Sequence, residues 1–71
     1  MNFLDTCNDV IPQYSIRLRD MRQRVGLSQE KFAEKFGIPI RTYQQWERGV
    51  RKPAGYVVDM IEIILQFEGV R

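Results

Sequence analysis

Residues 28–49 read SQEKFAEKFGIPIRTYQQWERG, two short amphipathic runs on either side of Gly37 and Pro39. The second run, RTYQQWER (41–48), sets Tyr43 and Trp46 among Arg41, Gln44, Gln45 and Arg48. On a helical wheel at about 100° per residue, Tyr43, Trp46 and Glu47 share one arc, with Ile40 at its border. Arg41, Gln45 and Arg48 lie opposite, with Gln44 beside them. The rings suit a core; the guanidinium and amide groups suit a wet surface that reads base edges. Arg forks onto guanine and Gln onto adenine in the major groove, each good pairing giving ~1–3 kcal/mol of discrimination. The wheel predicts a helix that packs on one flank and reads DNA on the other.

Outward from this stretch, the chain predicts helices throughout. Ser28 is placed to cap a helix over about 29–36, although Lys31 stands where a capping box has its acid. Phe32, Ala33 and Phe36 point inward, and Gly37 and Gly49 close the two helices of the central pair. Upstream, Ser15 is expected to cap a helix running to about Val25, with Tyr14, Leu18, Met21 and Val25 on its apolar edge and Gly26 as terminator. Before it, Phe3, Leu4, Cys7, Val10 and Ile11 follow a helical stripe, with Asn2 as a cap and Pro12 as the stop. Downstream, VRK (50–52) forms a basic loop and Pro53 opens a last helix to about Glu68. That helix is apolar nearly all round, save a strip at Asp59, Glu62 and Gln66, so it needs cover on more than one side. Two covers fit: a second copy of the chain, or the N-terminal helix folded over it. No alternating Val/Ile/Thr run marks a strand. The expected fold is all-α, a small bundle of four to five helices around a central helix-turn-helix, with residues 1–14 as an N-terminal helical extension and 15–71 as the domain proper.

Net charge is only +2, but its layout is uneven. Residues 15–52 carry ten Lys/Arg against Asp20, Glu30, Glu34 and Glu47, a local +6, while 1–14 and 53–71 each contribute −2. One face offered to a polyanion explains this layout; solvated helix faces with no partner explain it equally well. Other classes are poorly served. The chain has no His and one Cys, so neither a zinc site nor a disulfide within the chain is expected, and no cofactor is indicated. No carboxylate cluster or glycine-rich phosphate loop points to an enzyme. With no signal-like start and no apolar run near the ~20 residues of a membrane span, a cytoplasmic protein is expected. The acidic strip of the last helix also argues against membrane binding.

The stretch LSQEKFAEKFGIPIRTYQQWERGVRKP (27–53) resembles the helix-turn-helix of the Cro/Xre-type, lambda-repressor-like family. The likeness lies in the LSQ opening, Ala33 facing the next helix, Gly37 in the turn and the WERG…KP exit, and it runs from about Leu18 to Leu65. It implies that the second helix of the pair lies in the major groove while the first crosses the backbone. Arg41, Gln44 and Gln45 are then the expected base readers. Ser28, Gln29, Thr42, Arg48, Arg51 and Lys52 are expected at phosphates, which position without specifying. Ile40 stands open between a thymine methyl and the core. Relatives often pair an arginine of the first helix with an acid near the end of the reading helix, here Arg22 with Glu47. The inward arc makes a partner necessary for that carboxylate unless it reaches solvent past Trp46. One departure is Pro39, which stands where relatives often place a Ser or Thr that caps the helix and meets a phosphate. The resemblance implies a DNA-binding regulator, a repressor working as a homodimer on a palindromic operator. The expected dimer contact is the last helix (Val57, Ile61, Ile64, Leu65), the N-terminal helix, or both. An antitoxin-like module that binds both DNA and another protein is the alternative.

Overall fold

The computed structural model describes residues 11–69, which form four α-helices: α1 (Gln13–Val25), α2 (Gln29–Lys35), α3 (Ile40–Arg48) and α4 (Gly55–Phe67). No strand occurs among the described residues. The stripe proposed for Asn2, Phe3, Leu4, Cys7 and Val10 lies outside them; Ile11 is exposed and precedes α1.

Helix α1 starts two residues before the expected cap. Pro12, extended at φ −60° and ψ 152°, takes the N-cap place, and its carbonyl accepts from the Ser15 and Ile16 amides at 3.0 and 3.2 Å. Ser15 is therefore not a cap. It is fully buried inside the first turn, and its hydroxyl donates to the Trp46 carbonyl at 2.5 Å. Gly26, at φ 75°, ends α1 in the left-handed region, its amide reaching back to Arg22 and Gln23. Helix α2 is capped as its sequence suggests: Ser28 Oγ accepts from the Lys31 amide at 3.1 Å. Helix α3 has no side-chain cap, because Pro39 precedes it, yet the Tyr43 amide still finds the Pro39 carbonyl at 3.0 Å.

Gly49 closes α3 under two constraints at once. Its φ of 76° is left-handed, and a Cβ there would stand 2.7 Å from Pro12 Cδ. The close seat of Pro12 and Ser15 on the end of α3 depends on that missing side chain. Helix α4 begins at Gly55, not Pro53; Pro53 is instead buried, and Ala54 stands at the cap without a side-chain hydrogen bond.

The core joins all four helices through Leu18 and Met21 of α1, Phe32 and Ala33 of α2, Tyr43 of α3, and Val58, Ile61 and Leu65 of α4. Phe36, Phe32, Tyr43 and Trp46 form an aromatic chain, with successive ring centroids 5.0, 5.4 and 6.4 Å apart. Tilted and edge-on arrangements such as these add to area burial. Ala33 is buried in the same core.

The burial of α4 corrects the expected dimer contact. Ile61 and Leu65, each 3% exposed, belong to the chain's own core, and Val57 is half-buried against it. Of the four residues named for that contact, only Ile64 is exposed. The apolar surface that α4 leaves open consists of Tyr56, Met60, Ile63, Ile64 and Phe67, the last 88% exposed. The wheel could not separate these two sets, because both are apolar.

Candidate nucleic-acid interface

Helix α3 is fixed from behind by one buried carboxylate. Glu47 is 2% exposed, and four donors fill its two oxygens. Arg22 Nε stands 2.6 Å from Oε2, to which the Tyr43 hydroxyl also donates. Arg22 Nη2 and Gln29 Nε2 approach Oε1 at 3.3 and 3.0 Å. Burial alone pushes the Glu47 carboxyl up, but the hydrogen bonds from Arg22, Tyr43 and Gln29 outweigh it and hold it below the ordinary value. The same contact, set against desolvation, raises the Arg22 guanidinium above its usual value. Burial first, and then the Glu47 hydrogen bond, pushes the Tyr43 phenol far up. The cluster is charged yet satisfied, as a buried ion must be.

Helix α1 grips the end of α3 as well. Arg19 donates to the Glu47 carbonyl from Nε at 3.1 Å and Nη2 at 2.7 Å, next to the Ser15 contact with the Trp46 carbonyl. These carbonyls belong to the last turn of α3, where the regular helical donors run out and the Trp46 carbonyl has only the capping Gly49 amide besides, at 3.2 Å. Arg19 is a residue that the sequence reading missed. The signal was present: Ser15, Arg19 and Arg22 recur at helical spacing and share one face of α1.

With its inner flank pinned, α3 turns the opposite flank outward. Arg41, Gln44 and Arg48 are exposed, and Gln45 and Thr42 are half-buried. Ile40 sits at the border of exposure and is not part of the buried core. Ser28 is exposed at the start of α2, and Arg51 and Lys52 are exposed in the loop beyond Gly49. Gln29 is different. One end of its carboxamide is given to Glu47, and the other accepts from Gln44 Nε2 at 3.3 Å. Its capacity for a phosphate is one remaining N–H.

The ion pairs sort the cations by place. Arg17 bonds Asp59 and Glu62 at 2.9 and 2.6 Å, Arg24 bonds Asp20 at 3.0 Å, and Lys35 bonds Glu68 at 3.0 Å. Arg22 is taken by Glu47. Among the described residues, Lys31, Arg41, Arg48, Arg51 and Lys52 form no ion pair, and all five are exposed. They belong to α2, α3 and the loop after α3. Arg19 of α1 also has no acid partner, but it is half-buried and its guanidinium is given to the Glu47 carbonyl. The exposed cations without an ion pair thus lie on α2, α3 and the loop after α3, with Glu30 and Glu34 of α2 the exposed acids among them that form no ion pair.

Two helices joined by a tight turn, the second anchored by rings and presenting cations and amides, match the family model described as helix-turn-helix over residues 18–68. The chain belongs to the helix-turn-helix family, Cro/Xre type. Helix-turn-helix proteins of this kind are DNA-binding transcriptional regulators, generally without enzymatic activity. No curated protein and no solved structure matches the chain significantly. The match begins at Leu18, the first core residue of α1, and ends one residue past α4. It therefore takes in Arg22, Glu47 and the whole outer flank of α3. Among the described residues, no helix is long and apolar enough to cross a membrane.

Proposed function

We propose that this helix-turn-helix protein is a sequence-specific repressor that binds a palindromic operator as a homodimer. The observation that carries the reading is the segregation of charge: cations with no acid partner surround α3, whose inner flank is locked by Glu47. Helix α3 enters the major groove. Arg41 and Gln45 read base edges, with Gln44 beside them, Arg41 favouring guanine and the glutamines adenine. Ser28, Thr42, Arg48, Arg51 and Lys52 hold phosphates, joined by the free N–H of Gln29 and the exposed amides at the start of α2.

One reading helix spans few base pairs, so a single copy binds weakly. Two copies about one DNA turn apart, ~34 Å, supply both affinity and a palindrome. The open apolar stripe of α4, centred on Met60, Ile63 and Phe67, is the surface offered to the second copy. Occupying the operator blocks transcription by exclusion, with no chemistry. The same stripe supports a second reading, an antitoxin-like module that docks on a different polypeptide. Sedimentation of the purified chain separates the two: a concentration-dependent dimer that Phe67→Ser abolishes favours the homodimer, and a strict monomer favours the other.

The direct test is a gel shift on duplexes selected by the protein from a random pool, repeated across salt concentrations. The affinity is expected to fall steeply with salt while sequence preference remains. Arg41→Ala and Gln45→Ala should each cost ~1–3 kcal/mol on the selected duplex and relax preference at one base pair. Unchanged affinity and preference in both variants would remove the reading surface.

A further inference from the structure

We propose that Arg19 of α1 is a phosphate ligand, tying the last turn of α3 to the DNA backbone from outside the helix pair. This rests on the DNA-binding reading above and adds a contact to it.

Helix α1 carries arginines at 17, 19, 22 and 24. Arg17, Arg22 and Arg24 each bond a carboxylate, whereas Arg19 meets none among the described residues. It gives Nε and Nη2 to one neutral acceptor, the Glu47 carbonyl, at 3.1 and 2.7 Å. A guanidinium has further N–H donors to offer, and here they sit on a half-buried cation whose charge no described acid cancels. Partial burial penalises such a charge until an anion joins it.

The same place gathers other cations. The loop beyond α3 folds back on that turn, since the Val50 and Arg51 amides both reach the Gln45 carbonyl, at 2.9 and 3.3 Å. Arg48 follows Glu47 directly, so the backbones of Arg48 and Arg51 lie within the turn that Arg19 grips. The Glu47 carboxylate is already filled by Arg22, Tyr43 and Gln29. A helix C-terminus carries roughly half a negative charge, which by itself repels a phosphate. Ser15 on the Trp46 carbonyl and Arg19 on the Glu47 carbonyl offset it and leave this end cationic. The ligand that fits is a phosphodiester oxygen, which accepts from the remaining Arg19 donors. Such a contact lends affinity and register, not base preference.

Arg17 is the matched control: same helix, same charge, but held by Asp59 and Glu62. Arg19→Gln keeps a donor for the Glu47 carbonyl and removes the charge. In gel shifts across salt, its slope of log affinity against log salt should shrink by about 0.9, equally on selected and unrelated duplexes. Arg17→Gln and Arg19→Lys should keep the wild-type slope. An unchanged slope in Arg19→Gln, or the same loss in Arg17→Gln or Arg19→Lys, would overturn the contact. Single methylphosphonates, each removing one phosphate charge, locate it. At one backbone position the wild type should lose affinity while Arg19→Gln loses nothing further. If every such position costs the two proteins the same, Arg19 touches no phosphate and the DNA-binding reading stands. If the wild type binds no duplex in a salt-dependent way, both fall together.

Discussion

Helices α3 and α4 both bury one flank and expose the other, but the exposed flanks have opposite chemistry. The outer side of α3 carries Arg41, Gln44, Gln45 and Arg48, while that of α4 carries Tyr56, Met60, Ile63, Ile64 and Phe67. The inner sides differ in the same sense. Helix α3 is fixed by a buried ion with its hydrogen bonds, whereas α4 buries only apolar side chains, Val58, Ile61 and Leu65, and its ion pairs with Arg17 lie at the surface. A directional, polar lock holds the helix that we propose reads DNA, where side chains need a set orientation. Non-directional apolar packing holds the helix whose open surface fits another apolar surface. The second kind tolerates adjustment; the first does not.

The largest expected effect comes from breaking the lock. Glu47→Ala leaves Arg22 half-buried without its anion and removes the acceptor of Tyr43 and Gln29. Loss of one partner of a buried pair costs about 3–5 kcal/mol, a large share of the stability of a domain this size. Urea denaturation should show it, and a loss under 1 kcal/mol would mean that the cluster is not the lock. Its pH signature follows from the lowered Glu47 pKa. The stabilisation is fully present above the ordinary glutamate range, about pH 4.3, and disappears as pH falls through the lower folded value. Midpoints measured from pH 6 to 2 should fall for the wild type, with a shallower decline for Glu47→Gln.

On α4 the two flanks should part company. Ile61→Ala empties a core position and should cost about 2–4 kcal/mol. Ile63→Ala, two residues on and half exposed, should stay within about 0.5 kcal/mol at concentrations where the chain is monomeric. Equal losses at the two positions would show that both flanks are covered. The smallest effect belongs to the surface. Arg17 bridges Asp59 and Glu62 with well-formed geometry, yet all three side chains are 40% or more exposed. Arg17→Ala should cost no more than about 1 kcal/mol, and less in high salt. A larger, salt-insensitive loss would place that ion network with the Glu47 lock.

These contrasts also explain what the sequence could and could not disclose. The orientation of α3 was readable because rings and charges separate cleanly on its wheel, and Ser28, Gly26 and Gly49 punctuate the helices by local rules. Helix α4 gave no such contrast: Ile61 and Ile63 look alike, and only the placement of α1 decides which is covered. Ser15 resembles a cap because a serine ahead of an apolar stripe often is one. The carbonyl that claims its hydroxyl lies 31 residues away, beyond any local rule. Gln29 resembles a phosphate contact for the same reason, since nothing near it in the chain discloses that Glu47 and Gln44 take both ends of its amide.

A duplex titration followed by backbone and side-chain amide resonances tests the division between the two helices at once. With a selected duplex, the account predicts the largest shifts at Arg41, Gln44, Gln45 and Arg48, then at the start of α2 and at Arg51 and Lys52, with the open stripe of α4 changing little at fixed oligomeric state. Shifts centred on Met60, Ile63 and Phe67 with α3 unmoved would contradict it.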